Sequence, residues 1–309
     1  MDKFKLSVVI PSYNEEKNVE VLAEKLKFIL QRYPDYELIY VDDGSKDQTL
    51  EQLKELHKAD PRVKYISFSR NFGHQNALRA GLDHANGDCV ICLDADMQHP
   101  PELIPQLIAK WQEGYDIVYT IRQDTKDTSI FKRMTAGFFY TLINKLGNIN
   151  IKPGAADYRL MDKKVVETLR QFTEKFIFYR GIIATIGFKQ TYLEYVPQKR
   201  MHGKSKYNLK KMMGLALDGI TAFSTVPLRF ASTLGMVISF FAFVYTVYAL
   251  GVQLFGGFTV PGWSSLTVGV FFLGGIQLIM IGILGEYIGK LFFEVKKRPN
   301  YIISQSSLT

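Results

Sequence analysis

No Asp, Glu, Lys or Arg occurs from Phe230 to Gly285. Core helices of soluble domains rarely run so long without charge, which argues against a buried helical hairpin. A membrane-spanning helix takes roughly 20 apolar residues. The gap therefore fits two passes, near 230–254 and 264–290, with Gly256, Gly257, Pro261 and Gly262 forming the turn. Cysteine is also scarce. Cys89 and Cys92 form one C-x-x-C, and no second pair completes a zinc site. On a strand the two would face opposite sides, so buried structural cysteines are expected. No G-x-G-x-x-G follows an apolar run, which excludes the dinucleotide-binding fingerprint. Near the N-terminus the run LSVVI is too short for a secretory signal, and Asn14, Glu15 and Glu16 follow it closely.

What charge there is has a direction. The chain carries a net charge of +8. Arg229 precedes the first pass, and Lys290, Lys296, Lys297 and Arg298 follow the second. The loop between the passes has no charge, so the positive-inside rule predicts both ends in the cytoplasm. Glycines at 269, 274, 275, 282, 285 and 289 permit close helix packing, and self-association is expected.

The first 125 residues alternate between two periods. β-Branched runs at 6–11, 36–43, 63–69, 88–95 and 116–121 predict strands. Helical periods at 18–33, 48–59, 76–85 and 101–112 separate them. That alternation predicts an α/β fold, a mostly parallel sheet with helices on both faces. Beyond it, 129–147 is a basic amphipathic helix, with Phe131, Met134, Phe138, Leu142 and Leu146 along one side. It fits either a core face or the membrane interface. A second such helix, 208–223, leads into the first pass and is expected at the interface. Residues 172–187 read as a helix, 189–199 as a strand, and 200–207 as a basic glycine-containing loop.

In a parallel sheet, ligands bind at the carboxyl ends of the strands. Four successive strand ends carry polar groups: Pro11-Ser12-Tyr13-Asn14-Glu15, Asp42-Asp43-Gly44-Ser45, Arg70-Asn71-Phe72-Gly73-His74, and Asp94-Ala95-Asp96. Any one could be a turn or a helix cap. Four together predict a site. Asp94 and Asp96 share a face on an extended strand and repel unless a cation lies between them. Carboxylate oxygens suit a hard divalent ion, Mg2+ or Mn2+, and Gln98 could add a carbonyl oxygen. The basic balance of the chain points to an anionic substrate.

The segments PSYNE, VDDGS, RNFGHQNA, LDADMQHPPE, GAADYRL (154–160) and HGKSKY (202–207) resemble family-2 glycosyltransferases of the GT-A fold. The similar branch is the polyisoprenyl-phosphate glycosyltransferases, which include bactoprenol glucosyltransferases and dolichol-phosphate mannose synthases. The resemblance spans nearly the whole chain. It implies that Pro11, Tyr13, Glu15 and Asp42 hold the base and ribose of a nucleotide, with Asp94 close to nucleotide and metal. Asp96 and Gln98 match metal ligands. Arg122 and Arg133 match residues facing the lipid phosphate. Lys204, Ser205 and Lys206 match a loop that closes over the donor diphosphate; a membrane-apposed basic patch is the other reading of that loop. Asp157 is expected to hold sugar hydroxyls or orient groups at the reacting carbon. Relatives often carry glycine where this chain has Ala156, whose methyl group disfavours positive φ.

The implied organisation is a GT-A domain at 1–206, a juxtamembrane amphipathic helix at 207–228, two transmembrane helices at 229–291 and a basic cytoplasmic tail at 292–309. The implied activity is inverting transfer of a hexose from a nucleotide sugar, UDP-glucose, to undecaprenyl phosphate in cell-envelope glycosylation. It would take place at the cytoplasmic face of the inner membrane. Galactose, an aminosugar or aminoarabinose would serve as alternative sugars. A non-catalytic scaffold and a processive polysaccharide synthase are further alternatives. Against the synthase, the nearest string to its Gln-x-x-Arg-Trp motif, at 106–111, has the wrong spacing and lysine for arginine. No nucleic-acid partner is implied.

Overall fold

The computed structural model describes residues 3–123, 152–196, 224–254 and 262–308. The chain forms two units, one of residues 1–216 with 299–309 and one of residues 217–298.

The first unit is built on one sheet. Strand β1 (Lys5–Ser12) is buried along all but its first residue, as a central parallel strand must be. It pairs in parallel with β2 (Asp35–Asp42) and β4 (Cys89–Cys92), and β2 pairs in parallel with β3 (Val63–Phe68). Side chains alternate across a strand, so each face of β1 needs its own cover. Leu6, Val8 and Ile10 pack into a core with Val19, Leu22 and Leu26 of helix α1 (Val19–Leu30) and Leu107 of α4 (Ile104–Gln112). On the other face Val9 meets α3 (His74–His84) so closely that a Cβ on Gly81 would lie 2.1 Å from its Cγ1. Helix α2 (Thr49–Ala59) connects β2 to β3.

Beyond β4 the sheet becomes mixed. Strand β6 (Ala155–Asp162) runs antiparallel to both β4 and β5 (Ile117–Arg122), and β7 (Gln190–Tyr195) is parallel to β5. Helices α5 (Lys163–Arg170) and α6 (Tyr179–Thr185) lie between β6 and β7 in the chain. The strand order is β7-β5-β6-β4-β1-β2-β3-β8. The last strand, β8 (Ile303–Ser306), pairs antiparallel with β3. It lies within the segment expected as a basic tail. Tyr301 stacks on Phe68 at 5.1 Å and donates its hydroxyl to Asp83 at 2.9 Å, fastening this segment to the edge of the sheet.

Several boundaries moved. The strand expected at 88–95 ends at Cys92, because Asp94–Gln98 form a turn with Met97 at φ 62°. The helix expected at 172–187 is helical only from Tyr179 to Thr185. Ala156 lies in β6 and not among the residues of positive φ; the left-handed position is Gly154, at φ 79°. The two cysteines are free and buried, and burial pushes the thiol of Cys92 up to about 12. The amphipathic helices at 129–147 and 208–223 lie outside the described residues.

The second unit holds helices α7 (Val226–Leu254) and α8 (Trp263–Val295). Their segments Val226–Tyr245 and Phe272–Val295 are long and apolar enough to cross a membrane. At 1.5 Å per residue the first, of 20 residues, matches the roughly 30 Å hydrocarbon core and the second, of 24, exceeds it. Phe240, Phe241 and Leu278 are exposed. Within the unit, the Tyr287 hydroxyl donates to the Ser224 carbonyl at 2.6 Å, and a Cβ on Gly235 would sit 3.7 Å from Met280.

Candidate functional site

The carboxyl ends of β1, β2, β3 and β4 open into one cleft of about 650 Å³. Local hydrogen bonds sew their loops together. After β1, Asn14 adopts φ 56°; its side chain accepts from the Lys46 N–H at 2.8 Å, and its own N–H donates to Ser45 Oγ at 2.9 Å. The Glu15 N–H donates to Thr49 Oγ1 at 2.9 Å. Pro11, Tyr13 and Glu15 line the cleft, as does Ser12.

The paired aspartates after β2 divide their tasks. Asp42 is buried and accepts from the Ser45 N–H and the Ser67 hydroxyl, and it does not line the cleft. Asp43 does. It accepts from the N–H groups of Phe72 and Gly73 and from Asn71 Nδ2, at 2.6, 2.9 and 2.8 Å. Burial raises its pKa, and those N–H groups offset the rise only in part. Gly44 sits between this loop and Arg70: at φ 67°, a Cβ there would lie 2.5 Å from the Arg70 carbonyl carbon.

Asp94, Asp96 and Gln98 all line the cleft. They do so from a turn, not from an extended strand. Asp96 Oδ1 accepts from the Gln98 N–H at 3.1 Å, closing the turn through its own side chain. The Gln98 side chain presents Nε2 to Asp96 at 3.0 Å, while its Oε1 accepts from Arg122 at 3.4 Å. The Asp94 N–H donates to His99 Nδ1 at 3.3 Å, and the His99 ring stacks on Tyr158 at 5.2 Å. The Tyr158 hydroxyl donates to the Pro100 carbonyl, pinning this turn to β6.

The densest charge in the cleft lies at Asp157 on β6. Its carboxylate is buried and accepts from Arg180 Nε and Nη2, both at 2.8 Å, and from Arg159 Nη2 at 3.2 Å. Burial alone would raise its pKa; Arg180, His74 and Arg159 outweigh that and hold it well below the carboxylate range. His74, the first residue of α3, stands 3.6 Å from Asp94 and 3.8 Å from Asp157. Burial disfavours its charged form, yet the two carboxylates push its pKa up to about 9. Its Nε2 thus stands within ion-pair reach of both acids.

The cleft gathers Pro11, Tyr13, Glu15, Asp94, Asp96, Gln98, Arg122 and Asp157 from the sequence reading. Asp42 stands behind its wall. Arg133, Lys204, Ser205 and Lys206 lie outside the described residues. Asp43 and His74 line the cleft from the strand-end clusters that predicted a site, although neither was given a role of its own. Sequence reasoning missed His99, Arg180 and Tyr195 as lining residues. Arg180 had no signal, since its local sequence reads as an apolar helix.

The donor chemistry fits a divalent cation in part. Asp94 and Asp96 offer oxygen to one cleft, but among the described residues no group of three His, Cys, Asp or Glu side chains could hold a metal. A hard cation held by one or two carboxylates leaves its other positions to water or phosphate oxygens.

The sequence matches the family described as glycosyl transferase family 2 over residues 7–170. An uncharacterized glycosyltransferase of Bacillus subtilis is 46% identical over 301 residues, covering 97% of this chain and 93% of that one. The bactoprenol glucosyl transferase of Shigella phage SfII is 44% identical over 303 residues, covering 98% of each. Among solved structures, mannosyl-3-phosphoglycerate synthase from Rubrobacter xylanophilus is similar at 16% identity and a TM-score of 0.50, over 71% of this chain and 73% of that one. That likeness concerns the fold alone.

Proposed function

The chain belongs to glycosyl transferase family 2, and from that premise we propose that it transfers glucose from UDP-glucose to undecaprenyl phosphate with inversion at the anomeric carbon. One observation carries the reading. A cleft in which Asp94 and Asp96 stand beside the His74–Asp157–Arg180 cluster occurs in a chain that matches a bactoprenol glucosyl transferase along nearly its whole length.

The acceptor chemistry agrees with the cleft. A phosphate monoester has a second pKa of about 6, so it is largely ionised at neutral pH and already nucleophilic. No strong general base is needed. Asp157, clamped by Arg180 and held well below the carboxylate range, is a poor proton acceptor, which supports a positioning task for it. The enzyme must instead bring two anions together and align them. Arg122 supplies positive charge to the cleft. Pro11, Tyr13 and Glu15 at the end of β1, with Asp43, would hold the nucleotide. A divalent cation, Mg2+ or Mn2+, held by Asp94 and Asp96 would screen the charge of the leaving diphosphate. In-line attack on the face opposite that group inverts the configuration. The two apolar helices would keep the chain at the bilayer, where a polyprenyl phosphate head lies, with the first unit in the cytoplasm.

The test is a donor screen. Purified chain in detergent, given undecaprenyl phosphate, Mg2+ or Mn2+ and radiolabelled nucleotide sugars in turn, should move label into the organic phase from UDP-glucose. The configuration of the product reports inversion. Transfer only from UDP-galactose or an aminosugar donor would correct the sugar. Donor binding without transfer to any lipid phosphate would overturn the acceptor. No donor binding at all would favour the scaffold.

A further inference from the structure

We propose that Arg180 is a positioning residue of the transfer reaction, fixing the Asp157 carboxylate so that the reaction depends on Arg180 only through Asp157; this rests on the transferase reading above.

The geometry is a fork. Arg180 Nε meets Oδ1 and Nη2 meets Oδ2, each at 2.8 Å. Two parallel bonds set the plane of a carboxylate as well as its place, which a single ammonium cannot do. Arg159 adds a third bond to Oδ1, and its own guanidinium is turned back to the Ala156 carbonyl at 2.8 Å. Oδ2 is left facing His74. Asp157 is thus aimed at one specific neighbour in the cleft, and Arg180 supplies both bonds that set the aim.

The location of Arg180 suits that task. It is the second residue of α6, and the N–H of the first, Tyr179, donates to Gln75 Oε1 at 3.2 Å in the first turn of α3. Helix α6 is therefore fastened to β6 through Arg180 and to α3 through Tyr179. Those are the two elements that bring Asp157 and His74 together. The side chain of Arg180 is 31% exposed, so it lies at the cleft wall and not in the core. A lysine there would keep the charge and lose the plane.

The experiment is a double-mutant cycle on the full chain, comparing wild type, Arg180→Lys, Asp157→Asn and the double variant in the transfer assay. A side chain shifted by about 1 Å can cost on the order of 100-fold in rate. Arg180→Lys should therefore lower kcat by about 10- to 100-fold, with KM for the sugar donor and the lipid phosphate changed less than about 3-fold. In the Asp157→Asn background the same change should cost less than about 2-fold. Equal losses in both backgrounds would mean that Arg180 meets a substrate directly and would overturn the proposal. So would a normal kcat in Arg180→Lys, or a rise in KM alone. If Arg180→Lys does not fold, the double variant Asp157→Asn/Arg180→Gln removes both charges together. It should match Asp157→Asn in kcat, and a further loss would count against the proposal. A wild-type chain that transfers nothing from any donor would sink the functional reading and this inference with it, a result distinct from every variant ratio.

Discussion

Asp157 and Glu37 are both acids buried among basic partners, and only one of them faces the cleft. Asp157→Asn keeps the shape of the side chain and removes its charge. The expected outcome is a loss of about 100-fold in turnover, the scale on which a preorganised electrostatic group acts, with donor binding by calorimetry retained. Near-normal transfer by the variant in detergent would refute this role. Glu37 on β2 accepts from Ser7, from the Asn86 N–H and from Lys64 Nζ at 2.7 Å. Burial would raise its pKa, but Lys64, Ser7 and Asn86 bring it below the usual carboxylate range. A lowered folded pKa gives stability that is present above the unfolded value, near 4.3, and is lost as pH falls through the folded one. Thermal unfolding followed from pH 7 downward should show the melting temperature dropping below about pH 4. Glu37→Gln should flatten that limb and cost about 1–3 kcal/mol at neutral pH. At this scale the sequence offered residue types and left partners undecided. Asp42 and Asp43 are neighbours of one kind, yet Ser45 and Ser67 claim the first while Phe72 and Gly73 draw the second into the cleft wall.

Elements were legible where a period repeats and harder to read where side chains compete with the backbone. The run at 90–93 is apolar enough to continue a strand, yet Asp96 bonds the backbone of Gln98 and turns the chain. Asp94 and Asp96 consequently reach the cleft from a bend that the Asp96 side chain closes. Gly44 is the tightest point among these loops. Its φ of 67° suits glycine, and a Cβ would press on the Arg70 backbone. Gly44→Ala should cost about 2–4 kcal/mol, combining positive-φ strain with overpacking. Because Asp43 next to it holds the Phe72–Gly73 backbone, the donor KM should rise as well. Denaturant unfolding and steady-state kinetics on one preparation measure both effects, and a stable variant with unchanged KM would contradict the account.

The molecule as a whole joins an α/β unit to a pair of long apolar helices. Among the described residues of their unit, the exposed apolar faces of α7 and α8 lack cover, which a bilayer would supply. The full chain should therefore remain in the membrane fraction after alkaline carbonate extraction. Release into the supernatant would show that the helices bury themselves elsewhere. The proposed function carries with it a dependence on a divalent ion. Chelation should weaken UDP-glucose binding by at least about 10-fold in calorimetry, and Mn2+ or Mg2+ should restore it, since Asp94 and Asp96 would otherwise repel the diphosphate. Donor binding that survives chelation unchanged would remove the metal from the account. The sheet also brings back the far end of the chain, since β8 closes the β3 edge after the apolar pair. Nothing in the composition of 299–309 marked it as a strand of this sheet, because an edge strand's partner is set by topology and not by its own residues.

By itself the sequence determined the α/β alternation, the apolar helix pair around the uncharged stretch 230–285 and the family, because periodicity, the absence of charge and ordered motifs are properties of the chain read in line. Only the tertiary structure decided which acids face the cleft. It moved Asp42 behind the wall, put Asp43 in front, turned Asp94 and Asp96 onto a bend, and set Arg180 against Asp157 from 23 residues further along the chain. The physical reason is that a buried charge is tolerated only beside its partners, and those partners arrive from other elements.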